Sequence, residues 1–226
     1  MNKIKHSLMS NPYFFCSFSG GKDSCLALHR AFQEGGRPGR LFTMLDETGK
    51  RSRSHALPPA VLERQAASMG IPLHVACATW VDYEGVFSES IRNFKKEGLE
   101  TGVFGDIDLD AHREWVEKIC RAAGITPYLP LWKESRRGLL SEFLDLGFKA
   151  MIIAVNSKVL SKKLLGLILD HEVIAEIEKA GADAAGENGE YHTVVLDGPL
   201  FAHPVSLKTG EISMHEGFWF LEIFER

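Results

Sequence analysis

The 226-residue sequence predicts an α/β fold, with a parallel central sheet covered by helices on both faces and a small mixed C-terminal portion. Three observations carry this reading. Short apolar runs alternate with segments of helical periodicity up to about residue 155. A glycine-rich loop joins the first run to the first helical segment, and toward the C-terminus strand-like runs follow one another without helices between them.

Taken in order, Tyr13 to Phe18 is aromatic and almost continuously apolar, as a strand buried on both faces is. After the glycine loop, Leu26, Leu28, Ala31 and Phe32 recur at roughly helical spacing, and Gly35-Gly36 ends that helix. Leu41 to Leu45 is a second strand. Pro58-Pro59 opens a helix to about Met69, because proline fits the first helical turn. Leu73 to Cys77 is a third strand, Asp82 to Lys96 a helix, and Val103-Phe104 a short buried strand. Trp115, Val116, Ile119, Ala122 and Ala123 mark one face of the next helix. Tyr128-Leu129 precedes Pro130, then Leu139, Leu140, Phe143 and Leu144 line a further helix. Ala150 to Val155 is the clearest buried strand and continues the alternation that implies a parallel sheet. His171 to Ala180 is helical; Thr193 to Leu196, Val205 to Leu207, Glu211 to His215 and Phe218 to Ile223 are strand-like, with Lys208-Thr209-Gly210 as the expected tight turn. The change of character divides the chain into residues 1–160 and 161–226.

A composition of 45% hydrophobic and 25% charged residues is that of a globular protein and excludes disordered and collagen-like classes. A net charge of −4, with lysine and arginine scattered, argues against a broad nucleic-acid footprint. Cys16, Cys25, Cys77 and Cys120 form no Cys-x-x-Cys pair, so buried reduced thiols are expected rather than a zinc or redox site. Lys3 and Lys5 precede an apolar patch, but Asn11-Pro12 breaks it, which reads against a signal peptide. No run of about 18 apolar residues occurs, so the expectation is a soluble, cytoplasmic protein with no membrane partner.

Ser19-Gly20-Gly21-Lys22-Asp23-Ser24 lies between a strand and a helix, where open α/β sheets bind ligands. Glycines let the backbone approach a ligand closely, and the helix N-terminus favours an anion, so phosphate is the expected guest. Lys22 adds a point charge; Ser19 and Ser24 add hydroxyls. Asp23 directly after the lysine is not the Walker pattern, and it suits a magnesium contact beside phosphate. The plain alternative is a turn with Asp23 or Ser24 capping the helix. A second polar stretch runs Gly186-Glu187-Asn188-Gly189-Glu190-Tyr191-His192-Thr193 into Asp197-Gly198-Pro199-Leu200-Phe201. Glu187 and Glu190 suit an ammonium or a proton from an attacking nitrogen, and His192 an acid, base or donor role; a solvated polar turn is the plain alternative. Arg51, Arg53 and His55 form a basic loop that suits phosphate or anionic substrate, or is simply solvated. Asp106 follows a strand end and either points to the ligand edge or caps the next helix.

The first hexapeptide resembles the Ser-Gly-Gly-x-Asp-Ser signature of PP-loop, or N-type, ATP pyrophosphatases, an adenine nucleotide alpha hydrolase-like fold. Together with Gly105-Asp106-Ile107, Pro130-Leu131-Trp132 and the Glu187-to-Phe201 stretch, the chain is similar over nearly its whole length to the diphthine–ammonia ligase family. That resemblance implies an ATP-dependent, AMP-forming ligase that adenylates a carboxylate and amidates it with ammonia, the carboxylate being a small molecule or protein-borne. It implies that residues 1–160 bind ATP and 161–226 the acceptor. ATP is then held by Ser19, Gly20, Gly21, Lys22, Asp23, Ser24, His55, Gly105 and Asp106, and magnesium by Asp23. The acceptor or ammonia falls to Asn188, Gly189, Tyr191 and Thr193, with Lys22, Asp23, Glu187, Glu190 and His192 catalytic. His192-Thr193 stands where Glu-Thr is usual, and Arg51-Ser52-Arg53-Ser54-His55 replaces a Tyr-His-Thr stretch, which leaves the acceptor's identity open. Rival readings are sulfur transfer to tRNA, for which Cys25 at a helix start is the candidate thiol, and a non-catalytic ATP sensor. A homodimer is compatible with the sequence.

Overall fold

Phe14, Phe15 and Cys16 are consecutive, and all are fully buried. A strand allows that only when both faces of its sheet are covered. The computed structural model, which describes residues 11–225, places them in β1 (Tyr13–Ser17). β1 is the middle strand of a five-stranded parallel sheet of order β3-β2-β1-β4-β5, with β2 Arg37–Leu45, β3 Leu73–Cys77, β4 Thr101–Val103 and β5 Thr126–Tyr128. Phe14 and Cys16 face a core shared with α1 (Lys22–Gln33), α2 (Pro59–Met69) and α5 (Arg136–Asp145). Phe15 faces the other way, onto Phe42 of β2, Phe87 and Phe94 of α3 (Tyr83–Lys96), and Val116 and Ile119 of α4 (Asp110–Ala123). Helices on both faces of a parallel sheet are as the sequence predicts.

The rest of the chain forms a second sheet. β6 (Lys149–Asn156), β7 (Tyr191–Asp197), β8 (Leu207–His215) and β9 (Phe218–Glu225) pair antiparallel in the order β7-β6-β9-β8, with α6 (His171–Lys179) between β6 and β7. Two expectations are corrected here. Ala150 to Val155 does not continue the parallel sheet but lies in β6 at the heart of the second one, so a division at residue 160 separates β6 from its partners. An apolar run reports that both faces are covered; it does not report direction or neighbours. Lys208-Thr209-Gly210 is no turn either. It lies inside β8, where the pairing with β9 shifts register between Thr209 and Ile212. The hairpin turns instead at Glu216-Gly217, with φ 48 and 86, the pair of positive values that a two-residue primed turn demands. The patch after Lys3 and Lys5 lies outside the described residues.

In the parallel sheet the connections run to one side of β1 through β2 and β3, then cross to β4 and β5 on the other. The crevice at such a switch point, at the carboxyl end of β1, is where an open α/β sheet receives ligands. The glycine loop sits there.

Candidate nucleotide and acceptor site

The loop from Ser19 to Ser24 is tied by its own hydroxyls. Gly21 N donates to Ser19 Oγ at 3.3 Å, Ser19 Oγ to Ser24 Oγ at 3.1 Å, and Ser24 Oγ to Gly21 O at 3.1 Å. Gly20 adopts φ 78, a left-handed conformation costly for any other residue. The N-cap of α1 is Gly21, without a side-chain cap; neither Asp23 nor Ser24 takes that role. The backbone N–H groups of Asp23 and Ser24 are thereby left for an anion.

The second sheet grips this loop. Val195 N donates to Gly20 O at 2.9 Å, and Lys22 N donates to Thr193 Oγ1 at 3.1 Å. Gln65 of α2, wholly buried, donates through Nε2 to both Gly20 O and Val195 O, at 2.9 and 2.7 Å. A Cβ on Gly21 would fall 2.1 Å from Cε1 of His55, and one on Gly105 2.9 Å from the Asp23 carbonyl carbon. The β2–α2 loop, the β4–α4 loop and β7 thus close around the start of α1. His55 Nδ1 bonds Thr193 O at 2.9 Å, and its ring lies 4.8 Å from that of His192, which stacks on Phe218 at 6.0 Å.

The charges converge at Lys22. Its Nζ lies 2.6 Å from Asp23 Oδ2, 3.8 Å from Glu187 Oε1 and 5.7 Å from the centre of the Tyr191 ring. Burial alone would lower the proton affinity of this ammonium, but the acidic groups of Asp23, Tyr191 and Glu187 outweigh it and hold Lys22 cationic. Burial, reinforced by Asp23, pushes the Glu187 carboxyl up to about 7, against the pull of Lys22 and Arg136. Burial lowers His55 to about 4 and His192 to about 3, with Lys22 adding to both, so the two imidazoles are neutral at pH 7.

The other expected residues serve differently. Glu190 is buried, and its carboxylate accepts from Asp183 N, Asn188 N and Asn188 Nδ2 at 3.0 to 3.2 Å. It holds the loop in shape. Asn188 is spent on that contact, and the Tyr191 hydroxyl donates to Ala184 O at 2.6 Å. Arg51 points to Ala56 O; Arg53 bonds Ala78 O and Glu47 and lies 4.6 Å over the Trp80 ring. Of the basic loop, therefore, only His55 meets the glycine loop. Asp106 pairs with His112 at 3.2 Å, and the N-cap of α4 is Leu109 rather than Asp106. Cys25 is fully buried and its thiol is pushed well up by burial, which opposes a thiolate role. Cys77, expected to be buried, is exposed.

Residues that sequence reasoning passed over are Gln65, Asp108, Arg136 and Asp183. Arg136 forks onto Asp108 with two bonds of 2.7 Å and reaches Asp183 at 2.6 Å. No short motif flags them, because the contacts span sequence separations of 28 and 47 residues. Among the described residues no cluster of three or more His, Cys, Asp or Glu side chains is arranged to hold a metal. Magnesium commonly takes one or two carboxylates with substrate phosphates, and Asp23 at the loop's rim fits that manner of binding. Among the described residues no helix is long and apolar enough to cross a membrane.

The diphthamide synthase N-terminal domain family matches residues 15–127, and the diphthamide synthase C-terminal domain family residues 135–225. A diphthine–ammonia ligase of Mus musculus is 28% identical over 87% of this chain and 83% of its own length; the Danio rerio protein of that name is 28% identical over 87% of each. The Homo sapiens protein is 34% identical over 54% of this chain and 47% of its own. A solved structure described as a predicted subunit of tRNA methyltransferase from Methanocaldococcus jannaschii superposes with a TM-score of 0.46 at 17% identity, covering 81% of this chain and 96% of that one. Both halves of the chain match the two domains of one family, and they meet where the parallel sheet ends and the second sheet begins: the chain belongs to the diphthamide synthase family.

Proposed function

We propose that the chain is an ATP-dependent ammonia ligase that forms an amide from a carboxylate, with the diphthine named for its relatives as the acceptor class. The observation that carries the reading is the placement of Glu187. A loop of the second unit holds this carboxyl 3.8 Å from Lys22, at the rim of a glycine loop built to receive phosphate. One unit offers an anion site, and the other delivers an acid–base group to it.

In this reading the acceptor carboxylate attacks the α phosphorus of ATP. Pyrophosphate leaves, ammonia displaces AMP from the acyl adenylate, and the nitrogen's surplus proton must be taken up. Lys22 and the amides at the start of α1 bind the phosphates and stabilise charge developing on the leaving pyrophosphate. Asp23 would share magnesium with those phosphates, the metal supplying further charge neutralisation. Glu187, raised to about 7, takes the proton from nitrogen, since a base is most useful near the working pH. His55 and His192, neutral and with tilted rings 4.8 Å apart, form an uncharged wall that His192 extends by stacking on Phe218. Glu190, Asn188, Tyr191 and Thr193 shape the loop and strand around it.

The test is to supply magnesium, ATP, ¹⁵N-ammonium and a diphthine-bearing protein, and to follow ¹⁵N into protein-bound amide beside AMP. Amide and AMP formed in equal amounts support the reading. ATP left intact would favour an ATP sensor.

A further inference from the structure

Arg136 occupies the first turn of α5, where a cation opposes the helix dipole and where no acidic residue balances it. Its partners lie outside the helix. Nε and Nη2 make a fork onto both oxygens of Asp108, in the β4–α4 loop, at 2.7 Å each. Nη1 reaches Asp183 Oδ2 at 2.6 Å. That same oxygen accepts the backbone N–H of Glu187 at 3.1 Å, and Asp183 Oδ1 accepts that of Ala185 at 3.1 Å. Asp183 N in turn donates to Glu190 Oε1 at 3.1 Å. A chain of charge-assisted hydrogen bonds thus runs from the nucleotide-side loop, through one guanidinium, to the backbone of the residue whose carboxyl faces Lys22. Only a planar, multidentate cation satisfies both carboxylates at once. The side chains of Arg136, Asp108 and Asp183 are 27%, 26% and 16% exposed, so solvent screens the chain only in part.

We propose that Arg136 is a positioning residue that, through Asp183, fixes the backbone of the 183–190 loop and so places the Glu187 carboxyl beside Lys22. Its guanidinium is engaged by Asp108 and Asp183 rather than aimed at Lys22. The catalytic consequence rests on the ligase reading given above; the positioning itself does not.

The experiment uses the full chain, ¹⁵N-labelled, as wild type, Arg136→Lys and Asp183→Asn. Lysine keeps the charge but not the fork. Amide exchange at Ala185 and Glu187 should accelerate about tenfold or more in both variants, while amides of β1 and β6 keep their protection. In AMP formation with magnesium, ammonium and a diphthine-bearing protein, Arg136→Lys should lower kcat about a hundredfold and leave KM for ATP within about twofold. Wild-type exchange at both amides in Arg136→Lys overturns the proposal. So does a rise in KM for ATP that tracks a general loss of protection, because that marks a merely structural role. Faster exchange at Ala185 and Glu187 in a protein whose wild type makes no AMP upholds the positioning and sinks the ligase reading instead.

Discussion

Replacing Gly21 with alanine isolates the closest approach in the site. The backbone there has φ −93 and ψ 179, ordinary extended values that alanine adopts freely. Any cost is therefore steric. The new methyl would lie 2.1 Å from His55 Cε1 and 2.7 Å from Nδ1, against about 3.5 Å for an ordinary contact. The ring cannot simply swing aside, because its Nδ1 is bonded to Thr193 O at 2.9 Å and its face meets His192 at 4.8 Å. Overpacking of this kind costs about 1–3 kcal/mol. In a chain of this length, about 2 kcal/mol lowers Tm by about 5 °C. His55→Ala loses the bond to Thr193, about 1 kcal/mol, but also removes the two shortest contacts, leaving Thr193 O at 3.2 Å as the nearest atom. The double variant should then be close to His55→Ala alone, with a coupling of about 1–2 kcal/mol in a denaturant-unfolding cycle. Additivity to within about 0.5 kcal/mol would refute the reasoning, since it would mean that His55 does not pack on Gly21.

Three further outcomes follow from the same geometry. Glu187→Gln should cut amide formation about 10²- to 10⁴-fold at pH 7.5 and, with free ammonia held constant, abolish the rise in wild-type rate as pH passes through about 7, where the carboxyl loses its proton; a profile unchanged by the substitution would remove Glu187 from that role. His55 and His192 are held neutral, below their ordinary value of 6.5, so the folded state binds fewer protons than the unfolded one and stability falls as pH drops from about 6.5 toward 4; His192→Phe should flatten that fall in urea midpoints measured across the range. Gly217→Ala, at φ 86 in the β8–β9 hairpin, should cost about 1–2 kcal/mol in the same assay, whereas Lys208→Ala, inside β8, should change stability by less than about 0.5 kcal/mol.

Much of the parallel sheet was legible because β1, the second half of β2 and β3 are short apolar runs and the helices between the strands carry periodic faces, whereas β4 (Thr-Gly-Val) and β5 (Thr-Pro-Tyr) are too short and too polar to stand out. Pro59, Gly70 and Gly124 punctuate those helices where sequence rules place such residues. β6 shows where that legibility stops, since Ala150 to Val155 would look the same in either sheet. The hairpin turn was misread for a related reason. Gly210 and Gly217 are both turn residues by type, and only the register of β8 on β9 decides between them. In the site, the glycine loop and the Glu187 stretch were visible as local motifs, and the structure brings them together across 3.8 Å. The supports were not visible. Gln65 is one amide on an ordinary helix, and Arg136 one cation beside another; each acquires meaning only when distant segments fold against it. Glu190 illustrates the converse, a carboxylate of the expected motif whose oxygens face its own loop rather than the cleft.

In the proposed function the Ser19 to Ser24 loop directs cleavage between the α and β phosphates of ATP. The deciding experiment is α-labelled ATP incubated with magnesium, ammonium and a diphthine-bearing protein, wild type beside Asp23→Asn, with AMP and ADP resolved. Acceptor-dependent AMP from the wild type, lost in the folded Asp23→Asn variant, is the predicted result; ADP in place of AMP would contradict it.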